Sequence, residues 1–257
     1  MLEALGLEIR GILTAAFERT SVAVGNGSLR DELLALQVDA QELGDRGLAA
    51  VSANGGGIAC HRGCAHCCHQ GVWTQPYEVL IIASDLRSIR SPEELEVLKR
   101  KILGRAKLDA GVPMDFRYWS CPLLSSGKDC IVYHNRPRAC TQANSADVVP
   151  CRKAVAGARA RKNSPNIPMF SYPRELVDVQ RHGVNAALVE AGLFVEFVEL
   201  NSALEACIDD VDEFWRRWLA GEQVFEPAPK YDAGRFAEFA DSPALSQMYQ
   251  EMLVELR

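Results

Sequence analysis

The chain has 257 residues, of which 48% are hydrophobic and 24% charged, the proportions of a globular protein with a sizeable core. Against 28 Lys plus Arg stand 34 Asp plus Glu, and the net charge of -6 argues against a general affinity for nucleic acid or an anionic membrane. No stretch approaches the roughly 18 apolar residues of a membrane helix, and the amino terminus, with Glu3, Glu8 and Arg10, does not read as a secretory signal, so no membrane span and a cytoplasmic location are expected.

In chain order, residues 1–53 are expected to be helical. Leu2, Leu5, Ile9, Ile12 and Leu13 recur on one helix face, and Leu33, Leu34, Leu36 and Val38 mark a second segment, which together suggest a helical hairpin. Residues 52–57 contain three successive glycines and read as a flexible approach to the cysteine-rich stretch that begins at Cys60. A phosphate loop is disfavoured because no Lys-Ser or Lys-Thr comes after Gly57. Pro76 suits the first turn of a helix with Val79, Ile82, Leu86 and Ile89 on one side. Ser91, Pro92 and Glu94 supply a cap, a first-turn proline and a nearby carboxylate for another helix reaching about Ala110. Residues 111–151 are irregular, with Pro, Gly and Asn among four cysteines. Helical spacing returns from about Glu175 with Val177, Val184, Ala187 and Leu188, then Leu200, Leu204 and Cys207. Asp209, Asp210, Asp212 and Glu213 are the acidic start of a helix, explained by its dipole, and Trp215 and Trp218 read as core packing. The tail carries Phe236, Phe239, Leu245, Met248, Tyr249, Met252 and Leu253 at helical spacing. The expected fold is mainly α, a helical protein with an irregular, metal-organised cysteine-rich core region. Its expected division is a helical N-terminal segment (1–53), a cysteine-cluster metal-binding domain (54–165) and a helical C-terminal region (166–257).

The nine cysteines set the functional reading. A chain without an export signal is a poor candidate for disulfides, because the cytosol keeps thiols reduced, and an odd number leaves one unpaired. The first cluster places Cys60, Cys64, Cys67 and Cys68 within nine residues, where two or three intervening residues let thiolates turn around an ion. The second is Cys121, Cys130, Cys140 and Cys151, spaced about ten apart with Pro122, Gly127 and Pro137 at the turns. Eight ligands suffice for two tetrahedral thiolate sites, or for one iron–sulfur cluster of the 4Fe-4S kind plus a mononuclear site. Neighbouring side chains usually point apart, so Cys67 and Cys68 either serve different metals or leave one thiol free. Thiolates select zinc or iron over calcium, magnesium or manganese, and the crowding tilts the choice toward iron–sulfur, with zinc the alternative. Cys207, alone on an apolar helix face, reads as packing.

The run CxxxCxxCC, followed by CPLLxxxxxCxVYxxRPxxCxxxxS and a last cysteine, resembles the CxxCxxCC cysteine-cluster proteins of the YkgJ type, described as zinc- or iron-chelating domains. The matching positions are Cys60, Cys64, Cys67 and Cys68, then Cys121 to Leu124, Cys130 to Tyr133, Arg136-Pro137, Cys140 and Cys151. The chain departs at Thr141, where family members usually carry Arg, so an anion contact there is not carried over. A similar cysteine domain occurs in flagellin lysine methylases, and the resemblance therefore permits an enzyme without establishing one.

Around the cysteines, His61, His66 and His69 could replace a thiolate or carry protons, but with eight thiols present they read as solvent-facing or supporting. His134, beside Tyr133 and Arg136, reads as turn packing before catalysis. The Arg136-Pro137-Arg138 element can bond loop carbonyls or offset the charge of a tetrathiolate site. The only dense basic run, Arg152, Lys153, Arg159, Arg161 and Lys162, reads as a solvated helix face before an adaptor surface for an acidic partner. No nucleophile-elbow, Walker, Rossmann or zincin pattern is present. The sequence thus supports a metal-binding protein holding an iron–sulfur cluster or zinc. The alternative is a metal-dependent enzyme acting in redox chemistry or on a peptide or protein side chain, lysine methylation being one example.

Overall fold

The computed structural model describes residues 2–61, 63–112, 117–159 and 167–226, and within them the protein is mainly α-helical. Helices α1 (Leu2–Asn26) and α2 (Leu29–Ala53) form the expected hairpin, turning at Gly27, whose φ of 77° favours glycine. Ile9, Leu13, Ala16 and Ala23 of α1 are buried, as are Leu29, Leu33, Leu36 and Ala40 of α2, whereas Leu34 and Val38 are exposed. The apolar face of α2 is therefore narrower than its sequence suggested. The helix also runs on through Ser52 and Ala53, so the glycine-rich approach begins later than expected.

A long helix, α7 (Ser171–Glu190), lies against both members of the hairpin. Its Gly183 comes so near α1 that a Cβ there would stand 2.4 Å from the Leu13 carbonyl oxygen. Helix α3 (Pro76–Ile89) occupies the centre: Tyr77 and every residue from Val79 to Ala83 are buried, while Ile89 at its end is exposed. A helix apolar on all sides must be covered on all sides, and α2, α8 (Leu200–Cys207) and α9 (Val211–Leu219) pack around it. Helix α4 (Pro92–Asp109) begins with the expected capping box, Ser91 Oγ accepting from the Glu94 amide at 3.2 Å and Glu94 accepting from the Ser91 amide at 3.0 Å. Trp215 and Trp218 are buried and meet edge to face at 5.7 Å, and Cys207 is fully buried, so all three serve packing as expected.

Two short strands, β1 (Trp73–Thr74) and β2 (Val198–Glu199), pair antiparallel with Thr74 opposite Val198. Two residues are too few to show alternation, which is why this ladder was invisible in the sequence. The irregular region carries α5 (Arg138–Thr141) and then α6 (Val148–Arg159), so Cys151 sits on a helix and not in a loop. One hydrophobic cluster joins Ala16 of α1 to Phe225 and includes Leu123 and Val132 from between the cysteines. Among the described residues, no helix is long and apolar enough to cross a membrane. The amphipathic tail from Phe236 to Leu253, and Arg161 and Lys162 of the basic run, lie outside the described residues.

Candidate metal centre

Two buried arginines fasten the cysteine-bearing segments to the helices. Arg105 of α4 pairs with Asp109 at 2.7 Å and donates to the carbonyls of Gln70, just past the first cluster, and Trp119, just before Cys121. Arg138, two residues before Cys140, is 1% exposed. Its guanidinium donates to Glu78 and Tyr77 of α3, to Gln37 and the Leu36 carbonyl of α2, and to Gln180 of α7. Its backbone amide also donates to Glu78 Oε1 at 3.0 Å. An unpaired charge at that depth would be costly, so this network fixes α5, and Cys140 with it, against three helices.

The two clusters meet through the backbone. The Cys121 amide donates to the Cys68 carbonyl at 2.8 Å, and the Ala59 amide to the Ser145 carbonyl at 2.9 Å. Between Cys121 and Cys130 the chain doubles back, with Leu124 and Cys130 bridged antiparallel. This turn lets backbone amides two residues ahead, those of Leu123 and Val132, donate to the sulfurs of Cys121 and Cys130. The Ser145 amide likewise points at Cys60 Sγ, 3.2 Å away. Amides aimed at sulfur favour thiolate over thiol.

Without a cation the sulfurs oppose one another. Burial above all, with the neighbouring charges of Cys130 and Cys67 adding to it, pushes the Cys121 thiol up to about 11. Burial also lifts Cys140 well above the ordinary thiol value, and the sulfurs of Cys121, Cys67 and Cys130 add to the effect. For Cys67, a hydrogen bond with Cys68 is the first cause of an upward shift and burial the second. Desolvation and like-charge crowding are penalties that a bound soft cation reverses, and this donor set fits zinc or iron chemically. Among the described residues, no three His, Cys, Asp or Glu side chains converge as ligands of one ion, so binding requires the thiols to close inward.

Six of the eight expected ligands, Cys60, Cys64, Cys67, Cys68, Cys130 and Cys151, line a cavity of about 930 Å³. Cys121 and Cys140 are not among its lining residues, and Cys121 and Cys130 pack against the hydrophobic cluster. His61, His66 and His134 also line the cavity, whereas His69 turns to donate from Nδ1 to the Ala65 carbonyl at 2.8 Å. His134 meets the Tyr133 ring edge-on at 5.8 Å, with the Arg136 guanidinium 4.4 Å from the same ring centroid. Arg136 is held by Gln41 at 2.6 Å, and its charge lowers the pKa of Cys67, Cys130 and Cys140 against the upward pull of burial. Thr141, the departure from the family pattern, bonds Gln41 at 3.3 Å. Arg152 and Lys153 are exposed on α6.

Sequence reasoning missed Arg105 and gave Ser145 no role, although Ser145 stands in the motif. It also missed Arg174, Asn144 and Met169, which reach the cavity from α7 and the loops on either side of α6 and carry no spacing signal toward cysteines so far away in the chain.

A family model matches residues 59–163: CxxCxxCC, described as a "putative zinc- or iron-chelating domain". The matched segment is the one fastened by Arg105 and Arg138, and the match supports metal binding in general, with zinc or iron as the metal. No curated protein and no solved structure matches the chain.

Proposed function

We propose that this protein binds zinc or iron through Cys60, Cys64, Cys67, Cys68, Cys121, Cys130, Cys140 and Cys151, with an iron–sulfur cluster as the form that thiol crowding favours. The observation that carries the reading is the gathering of sulfurs from two stretches some fifty residues apart around one cavity, with backbone amides aimed at two of them, Cys60 and Cys130. Bound metal would supply a positive centre that holds the thiolates together and, as iron, electron transfer. The protein's own contribution is to anchor the loops through Arg105 and Arg138 and to place Arg136 where it offsets thiolate charge. Purification without oxygen, followed by elemental analysis and an absorbance spectrum, tests this. Iron with acid-labile sulfide and a broad band near about 400 nm marks a cluster, while stoichiometric zinc in a colourless protein marks the alternative. Absence of both metals overturns the proposal.

A second reading, a metal-dependent enzyme acting in redox chemistry or on a peptide side chain, is favoured by the cavity. Its volume of about 930 Å³ is that of a small-molecule site and far exceeds the needs of one ion. X-ray absorption showing four sulfur neighbours around every ion, with no other donor, would remove it.

A further inference from the structure

Arg136 is fastened everywhere except at the tip of its guanidinium. Its backbone carbonyl accepts from Gln37 Nε2 at 2.6 Å, its Nε donates to Gln41 Oε1 at 2.6 Å, and the guanidinium lies over the Tyr133 ring, 4.4 Å from the centroid. Gln41 is buried and is itself held at both ends of its amide, Oε1 accepting from the Thr141 hydroxyl at 3.3 Å and Nε2 donating to Asp45 at 3.0 Å. The two terminal nitrogens of Arg136 take no part in these bonds, and among the described residues no carboxylate forms an ion pair with it. The cation is set in place while its paired donors stay open. Arg136 lines the cavity of about 930 Å³. Of the other fixed charges there, Arg174 faces Asp178 of its own helix at 3.8 Å, Asp45 accepts from Gln41, and Lys128 is exposed, with Asp129 next to it in the chain.

We propose that the cavity binds a small organic acid, gripped at its carboxylate or phosphate oxygens by the Arg136 guanidinium. The proposal rests on the reading of the cavity as a small-molecule site and deepens it by naming the class of ligand. A guanidinium presents two parallel N–H groups that match two oxygens of one anionic head group. One that is already stacked and anchored loses little freedom in making that contact, so more of the interaction appears as affinity. Leu48, Ile131, Ile167 and Met169 line the same space and suit an apolar body behind the head group. The rival role for Arg136, offsetting sulfur charge alone, calls for a positive charge and makes no use of a fork.

Calorimetric titration of the full chain, purified without oxygen, with benzoate, phenyl phosphate and benzamidine provides the test. One equivalent of at least one of the two acids is expected to bind, and the tighter of them identifies the head group. Benzamidine, of like shape and opposite charge, is expected not to bind. The variant R136K keeps the charge that the sulfurs feel and removes the fork. Its metal content is expected to match that of the wild type while its affinity for the acid falls about tenfold or more, the loss of one hydrogen bond to a charged group. In R136M the affinity is expected to fall further, and R136K carries the test alone should R136M fail to fold. Unchanged affinity in R136K overturns the proposal. Binding of benzamidine in place of both acids overturns the choice of an anion and leaves the cavity a small-molecule site. Binding of none of the three overturns the small-molecule reading as well, so the two failures are distinguishable.

Discussion

Replacing Arg138 with Met would leave the Glu78 carboxylate buried without its countercharge. Breaking one side of a buried ion pair costs about 3–5 kcal/mol, and urea unfolding of R138M is expected to show a loss of that order. Glu78 adds a pH dependence whose sign follows from its surroundings. Burial pushes its pKa up, but the Arg138 charge, the amides of Gln75 and Arg138 and the Thr74 hydroxyl hold it below the ordinary 4.5. A carboxylate with a lowered folded pKa contributes stability that is complete above the unfolded value and is lost as pH falls through the folded one. Acid titration of the wild type should therefore lose stability below about pH 4.5, and E78Q should lose less over that range while starting from a lower value. The sequence made Arg138 legible as a structural residue through its place in Arg-Pro-Arg. Its partner was hidden, because Glu78 lies 60 residues away and reads locally as a first-turn carboxylate of α3.

At the scale of helices, two glycines of similar sequence context are expected to behave oppositely. In α7, a Cβ at Gly183 would meet the Leu13 carbonyl oxygen at 2.4 Å and the Phe17 amide nitrogen at 3.1 Å. Backbone atoms cannot swing aside, so G183A must push α1 and α7 apart, at a cost of about 1–3 kcal/mol. In α1, Gly11 is exposed and has nothing within 4 Å of where a Cβ would stand. G11A is expected to stabilise by roughly 0.5–1 kcal/mol, because it removes backbone freedom from the unfolded chain without a clash. Thermal melts of the two variants give the comparison, and a Gly183 variant as stable as the wild type would mean that the helices cross elsewhere. The elements themselves were legible where a cap or period marked them, as at Ser91-Pro92-Glu94. The start of α6 was not. Val148-Val149-Pro150-Cys151 looks like loop, yet Asp147 Oδ1 caps the helix by accepting from the Val149 amide at 2.8 Å, and a proline in the first turn needs no donor.

Across the whole molecule, the proposed metal centre would add a second source of stability to the hydrophobic cluster. The hydrophobic cluster draws on α1, α2, α3, α4, α7, α8 and α9, and two of these helices, α3 and α4, lie within the matched cysteine segment itself. Helix α3 packs against α8 and α9, with Tyr77 meeting Trp218 at 6.2 Å, and α4 packs against α8, while Leu80, Ile82 and Ile102 are fully buried. The loops at 57–72 and 117–135 bury few apolar side chains, and if the proposed sulfur centre forms, it offsets part of the entropy of ordering them beside the arginine anchors. Chelation should therefore divide the protein unevenly. Limited proteolysis after metal removal is expected to open residues 57–72 and 117–135 while α3 and α4 stay protected and far-ultraviolet helicity changes little. The alternative outcome, cleavage spreading through α3, would make the metal the nucleus of the whole fold. That is hard to reconcile with a helix whose Val79, Leu80 and Ile82 are fully buried in an apolar cluster against which, of the eight candidate ligands, only Cys121 and Cys130 pack.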